Sequence, residues 1–394
     1  MTHFPDAAWI DHAGLKTLLD ALEADQGKTR FVGGFVRDTL LGITTADIDC
    51  ATSLAPQVVL ERITGAGFKA VPTGIAHGTV TAILPSGPVE ITTLRRDVTT
   101  DGRRATIAYT DDWREDAGRR DFTINALSVE PGGGIVHDYF DGLADLAAGH
   151  VRFIGDPAER IAEDHLRILR FFRFHARFGR GDPDDEALAA CAARANDLMA
   201  LSRERIADEL IKLLGLDDPS PTIMRMVFLG ILRPVLPEIS IDAPSRLTAL
   251  VNAEQAAEIP PAALRRLSAL LPANIDVVQA IGARLKLSNA ARKRLAQAIG
   301  PADSTDARAL AYRIGREGAL DRLLLAGEAA TAREISQWEI PSLPISGGAL
   351  VAGGIKAGPA VAAALKAVEN QWIAEGFPGR DRTLAIADEI MRAS

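Results

Sequence analysis

The feature that most constrains the fold of this chain is a change of sequence texture near residue 150. Before it, short apolar and β-branched runs such as Val80–Leu84 and Val89–Leu94 are bounded by Gly, Pro or Ser, a pattern typical of strands joined by turns. From about Asp156 onward, long segments rich in Ala, Leu, Arg and Glu take over, with Pro or Gly between them, and these predict helices. We therefore expect an N-terminal head of strands and helices followed by an all-helical remainder.

Composition limits what such a chain can do. A chain of 394 residues is too long for one ordinary core, so two to four structural units are expected. The net charge of −8 excludes a uniformly basic nucleic-acid-binding surface but permits a local basic groove. Two cysteines, Cys50 and Cys191, are too few for a disulfide framework, so a cytoplasmic protein is expected. The sequence shows no signal peptide or membrane span, and it indicates no protein partner.

The first motif with chemical meaning is GGFVRD at residues 33–38, followed by DID at residues 47–49. A strand that runs into two glycines lets the backbone approach a phosphate closely, and Arg37 adds a charged donor. Asp47 and Asp49 are two residues apart, so on a strand their carboxylates share one face, as two oxygen-bridged Mg²⁺ ions require. Surface strands often carry such a pair by chance, but the GGFVRD segment upstream favours a metal site.

Glu90 is a candidate third acid at this site. It opens the apolar segment EITTLR, where a buried carboxylate without a partner would be costly. A glutamate on an edge strand that faces water explains the same residue equally well, so both interpretations stay open.

A third motif, RRDFTINA, occupies residues 119–126. Two arginines, an acid and an amide within seven residues suit a triphosphate and a ribose. Phe122 and Ile124 alternate as buried positions, so part of the motif is structural, and Asp121 and Asn125 could simply brace the local turn. A phosphate contact is favoured for Arg120.

The best-marked helix is predicted to begin at Asp156, an N-cap followed by proline, with Glu159 placed for a capping box. It is expected to run without a break to Gly179. Seven arginines and four acids lie between residues 152 and 180, so a basic patch is expected on an acidic protein. Further along, Arg205 and Glu209 are interpreted as a structural ion pair at spacing i, i+4.

Asp164, Arg167, Arg170 and Arg173 follow one another along this predicted helix at steps of three. Each step falls about 60° short of a full turn, so the stripe winds around roughly half the helix. Salt bridges to the acidic body are one explanation. The other is a nucleotide base: Asp164 would accept from the exocyclic amine of cytosine or adenine and Arg167 would donate to the ring nitrogen, whereas uracil and guanine carry the reverse pattern.

Together the motifs resemble those of class II tRNA nucleotidyltransferases, the CCA-adding enzymes, and of their relatives the bacterial poly(A) polymerases. The matching segments cover about the first half of the chain, namely GGFVRDTLLG, DIDCAT, PTGIAHGTVT, EITTLRRDVTTDGRRA, RRDFTINALS, DYFDGLADL and EDHLRILRFFRF. The second half is similar in its helical texture and in SRERIADELIKLL. The resemblance implies an α+β fold: a polymerase-beta-like nucleotidyltransferase head with a mixed sheet and helices, then an all-helical neck, body and tail.

The resemblance also implies domain limits and roles for residues. A helical lead is expected over residues 1–27, a catalytic head over 28–150, a neck with the nucleotide-reading helix over 151–215, a helical body over 216–345 and a helical tail over 346–394. Asp47 and Asp49 would bind Mg²⁺, with Glu90 as a further catalytic acid. The implied nucleotide contacts are Gly34, Arg37, Arg120, Asp164, Arg167, Arg170 and Arg173.

Two features distinguish members within the resembled family. Residues 94–104, which include Asp97, Asp101, Gly102 and Arg103, are similar to the complete flexible loop that CC-only enzymes have shortened. The chain ends in TLAIADEIMRAS and lacks the long basic C-terminal extension usual in bacterial poly(A) polymerases.

We therefore expect a Mg²⁺-dependent enzyme that adds C, C and A to tRNA 3′ ends from CTP and ATP, in two-metal chemistry without a template. An A-adding or poly(A)-adding activity is the first alternative. The second alternative is a catalytically inactive RNA-binding homologue, which predicts a broken metal site, although Asp47, Asp49 and Arg37 are all present.

Overall fold

The computed structural model describes residue 4 and residues 11–45, 47–101, 104–300 and 306–393, with the backbone alone for residues 97–101, 104–107 and 393. The chain divides into two compact units. The first comprises Met1–Glu209 and Phe228–Val235, and the second comprises Leu210–Val227 and Leu236–Ser394. Every described strand lies in the first unit, as the change of texture near residue 150 predicts.

The head of the first unit is built on a seven-stranded mixed sheet. Its strands are β1 (Thr29–Val32), β2 (Ile48–Thr52), β3 (Lys69–Gly74), β4 (Thr79–Leu84), β5 (Gly87–Thr93), β8 (Ser128–Val129) and β9 (Val136–His137). Their order is β3-β4-β5-β2-β1-β8-β9. The central pair, β2 and β5, is parallel and places Asp49 beside Glu90, whereas the other neighbouring strands are antiparallel. The mixed sheet expected for the head is confirmed.

A separate two-stranded hairpin consists of β6 (Arg95–Asp101) and β7 (Arg104–Tyr109). The segment expected to be a flexible loop is therefore mostly paired strand. Its Val, Thr, Ile and Tyr residues explain this, because β-branched and aromatic residues favour strands. Gly102 and Arg103, which belong to that expectation, lie outside the described residues.

Among the described residues, eight helices belong wholly to the first unit. They are α1 (Leu15–Ala21), α2 (Gly33–Leu40), α3 (Pro56–Gly65), α4 (Trp113–Gly118), α5 (Gly142–Ala148), α6 (Pro157–Glu163), α7 (Arg167–Phe178) and α8 (Asp185–Ala193), with short 3₁₀ turns at Ala24–Gln26, Ile75–His77, Thr123–Asn125 and Ala195–Ala200. Two further helices, α9 (Arg203–Leu214) and α10 (Ser220–Phe228), contribute residues to both units.

The helix predicted from Asp156 to Gly179 is two helices, α6 and α7, so the prediction of an unbroken helix is wrong. Asp156 does cap α6, since its carboxylate accepts the N–H three residues later at 2.9 Å. The break is at Asp164, whose backbone is extended. Its side chain accepts the Leu166 N–H at 3.1 Å and its carbonyl accepts the Arg167 N–H at 3.0 Å. Such local bonds give the backbone an alternative to the helical ladder.

An aromatic cluster holds α7 against the segment that carries the RRDFTINA motif. Phe122 is fully buried, with ring-centroid distances of 4.9 Å to Phe153 and 5.1 Å to Phe174. Phe153 in turn stacks on Phe171 at 5.6 Å. Aromatic pairs at these separations stabilise a fold beyond the area that they bury, so the cluster fixes the motif relative to α7.

All regular secondary structure described in the second unit is helical. Its remaining helices are α11 (Ala243–Ala256), α12 (Ala263–Leu270), α13 (Ile275–Arg284), α14 (Asn289–Ala298), α15 (Ala307–Ile314), α16 (Arg316–Leu325), α17 (Ala329–Gln337), α18 (Gly347–Ala352), α19 (Pro359–Ala374) and α20 (Arg380–Ala393). A buried ion network links three of them, in which Glu254 accepts from Arg265 and Arg266 at 2.7 and 2.8 Å and Asp321 accepts from Arg265 at 2.8 Å. Within the described ranges, no helix is both long and apolar enough to cross a bilayer.

Candidate active site

A cavity of about 430 Å³ lies in the first unit. Seven of the ten site residues predicted from the sequence line it. The lining comprises Gly33, Gly34, Arg37, Asp49, Arg119, Arg120, Asp121, Asn125, Asp164, Arg167, Arg170 and Phe174. Five arginines against three aspartates make it a local basic site on an acidic chain, as expected for a site that binds phosphates.

One end of the cavity is formed where β1 runs into the first turn of α2. Gly33 has φ of +65°, in the left-handed region that favours glycine. A Cβ at Gly33 would lie 2.9 Å from Nη1 of Arg120, whereas a Cβ at Gly34 would meet nothing closer than 3.7 Å. The unpaired N–H groups of a helix N-terminus attract anions, so this end of the cavity suits a phosphate.

Arg37, on α2, is held in place on several sides. It is 5% exposed, and its guanidinium lies 4.2 Å from the Phe178 ring and 5.1 Å from the Phe174 ring. It donates to Asp38 at 2.7 Å and to the side-chain oxygen of Asn125. Burial lowers the pKa of Arg37, and Asp38 offsets part of this effect. The arginine is therefore a preoriented cation at the cavity wall.

Three carboxylates belong to the other predicted cluster. Asp49 lies on β2, half-buried, beside the exposed Glu90 of β5. Asp47 precedes β2 by one residue, so only Asp49 belongs to the strand, and Asp47 is exposed. Because β5 is an interior strand, the interpretation of Glu90 as an edge-strand residue is wrong, although its exposure to water is as that interpretation expects.

These acids fit a divalent cation. Burial, followed by the negative charges of Glu90 and Asp47, raises the pKa of Asp49 to about 6, and a bound cation would relieve this repulsion. Within the described residues, no group of three or more His, Cys, Asp or Glu side chains is arranged to hold a metal ion. Mg²⁺ commonly takes only one or two carboxylates and completes its coordination with water and substrate phosphates, so the chemistry of this pair is compatible with the predicted metal site, and Asp47 and Asp49 stay its predicted ligands.

The RRDFTINA motif supplies one wall of the cavity. Arg120 donates from Nη2 to Asp116 and from Nη1 to the carbonyl of Asn125, each at 3.3 Å. These bonds use two of the five N–H donors of a guanidinium. Arg120 can therefore also donate to an anion in the cavity.

Asp121 and Asn125 link the two sides of the cavity. Asp121 accepts from Asn125 at 2.8 Å and from Nε of Arg170 at 2.7 Å, while Asn125 accepts from Arg37. Burial alone would raise the pKa of Asp121, but Arg170 outweighs it and holds that pKa below its usual value. The bracing role considered for Asp121 and Asn125 is therefore supported, and it connects α2 to α7.

Asp164 and Arg167, the predicted base-reading pair, both line the cavity, but each is bound elsewhere. The Asp164 carboxylate accepts from Arg205 at 2.7 Å, and Arg167 donates to Glu163 at 2.6 Å and to the Arg119 carbonyl at 2.8 Å. Each group therefore has a protein partner, while the carboxylate keeps further acceptor sites and the guanidinium keeps unused N–H donors.

Glu209 and Arg205 are not paired as predicted from their spacing. Arg205 binds Asp164, and Glu209 accepts from Arg173 at 2.6 Å and lies 3.7 Å from Arg170. The interpretation of Arg205 and Glu209 as an i, i+4 pair is therefore wrong. The physical reason is that the partly buried arginines on α7 offer Glu209, which is 4% exposed, stronger compensation than an exposed neighbour could.

Arg173 is not among the cavity-lining residues, unlike Arg167 and Arg170. Helical geometry explains the difference, since six residues rotate a side chain about 120° away from its starting direction, whereas seven bring it back to within about 20°. Phe174, seven residues after Arg167, therefore lines the cavity where the three-residue spacing predicts Arg173. A nucleotide contact by Arg173 stays a prediction without support from this geometry.

Five lining residues were not among the site residues predicted from the sequence: Gly33, Arg119, Asp121, Asn125 and Phe174. Gly33 and Arg119 are neighbours of predicted residues within their motifs. Phe174 could have been found from its i, i+7 relation to Arg167. The partner role of Arg205 had no local signal, because its contact is 41 residues away in the chain.

The mixed sheet, the glycine turn and the acids beside the basic cavity define the head as a nucleotidyltransferase of the polymerase type. Two family models match the chain: the Poly A polymerase head domain over residues 29–152 and the probable RNA- and SrmB-binding site of polymerase A over residues 182–242. The first match covers the whole described sheet.

Comparison with relatives that match more than nine-tenths of the chain identifies the class of nucleotidyltransferase. The chain is 36% identical to the mitochondrial CCA tRNA nucleotidyltransferase 1 of Mus musculus, across 92% of this chain and 87% of that protein. It is 31% identical to a CCA-adding enzyme of Levilactobacillus brevis, across 94% and 96%. The chain therefore belongs to the family of CCA-adding tRNA nucleotidyltransferases.

Solved structures share the fold. The Bacillus stearothermophilus CCA-adding enzyme in complex with CTP matches with a TM-score of 0.72 at 24% identity, across 96% of this chain and 97% of that one. The Thermotoga maritima CCA-adding enzyme complexed with tRNA matches with a TM-score of 0.71 at 19% identity, across the full length of both. The expected α+β architecture, a nucleotidyltransferase head followed by helical regions, is confirmed.

Proposed function

We propose that this protein adds C, C and A to the 3′ ends of tRNA, using CTP and ATP and releasing pyrophosphate. One observation carries the proposal: a single cavity of the head gathers phosphate-binding groups at its glycine end and a potential base-reading pair at α7. Relatives named for this activity extend over nine-tenths of the chain, which supports the same function.

The triphosphate would lie at the glycine end of the cavity. There the first turn of α2 presents N–H groups, and Arg37 and Arg120 add two guanidiniums. Both arginines already have carboxylate or amide partners that fix their direction, so little reorganisation is needed when charge develops on the phosphates. Their task is to orient the nucleotide and to stabilise the departing pyrophosphate.

Asp47 and Asp49 are the residues that would hold Mg²⁺, with Glu90 beside them. When bound, the metal would polarise the α-phosphate and favour the ionised 3′-hydroxyl of the RNA. In the reaction the 3′ oxygen forms a bond to the α-phosphorus, and the bond from that phosphorus to the pyrophosphate oxygen breaks. The protein's own contribution is to keep Asp49 half-buried in the cavity wall, with the exposed Glu90 beside it on the neighbouring strand.

Base choice would fall to Asp164 and Arg167. Cytosine and adenine offer an amine to Asp164 and a ring nitrogen to Arg167, and a base with the reverse pattern would leave both groups opposite like partners. A base can bind beside Arg205 and Glu163, through the acceptor sites of the Asp164 carboxylate and the Arg167 N–H donors that these partners leave unused. The mismatch of a base with the reverse pattern then discriminates against it. Arg170, bound to Asp121, would support the nucleotide from the same face of α7.

The defining experiment supplies the purified protein, with Mg²⁺, a tRNA that lacks its last three nucleotides. Each labelled nucleoside triphosphate is given singly, then CTP together with ATP, and the products are resolved at single-nucleotide length. Two additions from CTP alone and a stop after three with both nucleotides are expected. A long ladder from ATP alone would instead establish a poly(A) polymerase.

Two variants make the assay specific. Asp49→Ala is expected to abolish transfer while tRNA binding, measured by gel shift, stays largely intact. Asp111→Asn, which changes an exposed carboxylate of the same unit, serves as the control and should retain activity. Binding of tRNA without any transfer by the unaltered protein would favour the inactive RNA-binding homologue.

We also infer that the protein works in the cytoplasm. Cys50 and Cys191 are both free thiols, which is usual in a reducing compartment. Relatives from mitochondria and from bacteria share the family, so fractionation of the source cells is the test of this location.

A further inference from the structure

A buried carboxylate on α4 has no place in the roles described above. Asp116 is 3% exposed, and an ionised carboxylate at such depth is costly unless charged partners compensate it. It accepts from Nε of Arg119 at 2.9 Å, from Nη2 of Arg120 at 3.3 Å and from the main-chain N–H of Arg95 at 3.3 Å. Burial would raise the pKa of Asp116, but Arg120 and Arg119 outweigh it and hold that pKa below its usual value.

On the cavity side, Asp116 binds the side chains of Arg119 and Arg120, and these two residues contact opposite ends of the cavity. Arg120 packs against Gly33 at the phosphate end, where a Cβ would come within 2.9 Å of Nη1. The carbonyl of Arg119 accepts from Arg167 at 2.8 Å at the base end. Asp116 is therefore a carboxylate partner shared by both arginine side chains, and Arg120 is held in addition by the Asn125 carbonyl.

On its other side, Asp116 contacts the root of the β6–β7 hairpin. Arg95 is the first residue of β6, and Leu94 just before it is fully buried. Leu94 donates to the carbonyl of Thr52 at 2.8 Å and accepts from Thr110 at 3.0 Å, so the hairpin leaves the core at this point. The bond from Arg95 to Asp116 is the next one outward.

We propose that Asp116 is a positioning residue that couples the β6–β7 hairpin to the binding of a nucleoside triphosphate. Its carboxylate directs Arg120 toward the phosphate end. The same carboxylate accepts the Arg95 main-chain N–H and so connects Arg120 to the root of the hairpin. This inference rests on the proposed function for the identity of the ligand. Because coupling between two sites is reciprocal, triphosphate binding should steady the hairpin, and loss of the carboxylate should weaken triphosphate binding.

The test compares Asp116→Asn with the unaltered protein and with Asp111→Asn as the control. Asparagine keeps the shape and an acceptor for the Arg95 amide but removes the charge that holds two guanidiniums. The Kd of inorganic triphosphate, measured by calorimetry with Mg²⁺, and the KM for CTP should both rise about ten-fold or more. The KM for tRNA should stay within about two-fold.

Hydrogen exchange over residues 95–109 tests the hairpin side. Inorganic triphosphate should slow exchange there in the unaltered protein and have no such effect in Asp116→Ala. If Asp116→Ala does not fold, Asp116→Asn is measured instead, with partial loss of the effect expected.

The outcomes separate this inference from the proposed function. An unaltered protein that binds inorganic triphosphate but adds no nucleotide would refute the function and leave the coupling measurable. An active protein whose Asp116→Asn variant binds triphosphate as tightly as before would overturn the inference, even if its melting temperature falls, since Asp116 would then be a structural brace only.

Discussion

Replacement of Asp49 by Asn should stabilise the metal-free protein at neutral pH while it abolishes nucleotide transfer. Asp49 is half-buried next to Glu90 and Asp47, and these surroundings raise its pKa from 3.8 to about 6. A shift of one pKa unit corresponds to about 1.4 kcal/mol, which sets an upper limit of about 3 kcal/mol. Screening by solvent around the partly exposed carboxyl reduces the expected gain to about 1–2 kcal/mol.

The pH dependence gives the prediction its direction. The folded-state pKa of Asp49 lies above the unfolded-state value, so between pH 3.8 and about 6 the folded protein binds more protons. The free energy of unfolding contributed by Asp49 therefore falls as the pH rises through this window and stays low above it. Asn carries no charge at any pH. The variant should therefore gain about 1–2 kcal/mol over the unaltered protein at pH 8 and almost nothing near pH 4.

Urea unfolding in EDTA at pH 4.5 and pH 8 measures the effect, with protection of the β2 and β5 amides as the readout so that opening of the head is followed. Mg²⁺ added at pH 8 should stabilise the unaltered protein and leave Asp49→Asn unchanged. Asp111→Asn should match the unaltered protein throughout. A gain that is equal at both pH values, or a variant less stable at pH 8, would refute the electrostatic reasoning.

Three further predictions use other parts of the chain. Arg167→Ala should raise incorporation of UTP and GTP relative to CTP by about 10-fold or more, measured in single-turnover competition; an unchanged ratio at a reduced rate would remove Arg167 from base choice. Gly33→Ala should destabilise the head by about 1–2 kcal/mol in urea unfolding and raise the KM for CTP, whereas Gly34→Ala should leave stability nearly unchanged. Glu254→Gln should cost the second unit about 3–5 kcal/mol in urea unfolding, because buried Arg266 loses the Glu254 carboxylate and Arg265 keeps only its contact with Asp321, against less than about 1 kcal/mol for the exposed Glu258→Gln.

Much of the site could be predicted because its residues lie in short motifs with local causes. Two glycines after a strand, an aspartate pair at the start of the next strand and arginines near the start of α7 each follow from chain geometry. The cavity accordingly contains Gly34, Arg37, Asp49 and Arg120. The change from strand texture to helical texture near residue 150 likewise located the sheet, since hydrophobic periodicity is set by neighbours in the chain.

What could not be predicted depends on contacts between distant residues. The hydrophobic periodicity of EDHLRILRFF continues through Asp164, so the sequence gives no sign of a break there. The structure shows it in the extended backbone of Asp164 and in the Leu166 N–H that its carboxylate accepts. Arg205 and Glu209 have an ideal helical spacing, yet each is drawn to a partner more than thirty residues away. The hairpin of Arg95–Asp101 and Arg104–Tyr109 was not predicted for a different reason. The prediction for this segment followed the resemblance to a flexible loop and not the β-branched composition.

Because of the break at Asp164, substitutions that affect stability and substitutions that affect nucleotide preference should fall at different positions. Because Asp164 has an extended backbone between α6 and α7, rotation of its side chain redirects the carboxylate without moving either helix. Apolar substitutions inside the helices should then alter stability and spare nucleotide preference. Substitution of Asp164 itself should do the reverse. Over evolution, nucleotide preference could accordingly drift through changes at Asp164, while the surrounding core remains under a separate constraint.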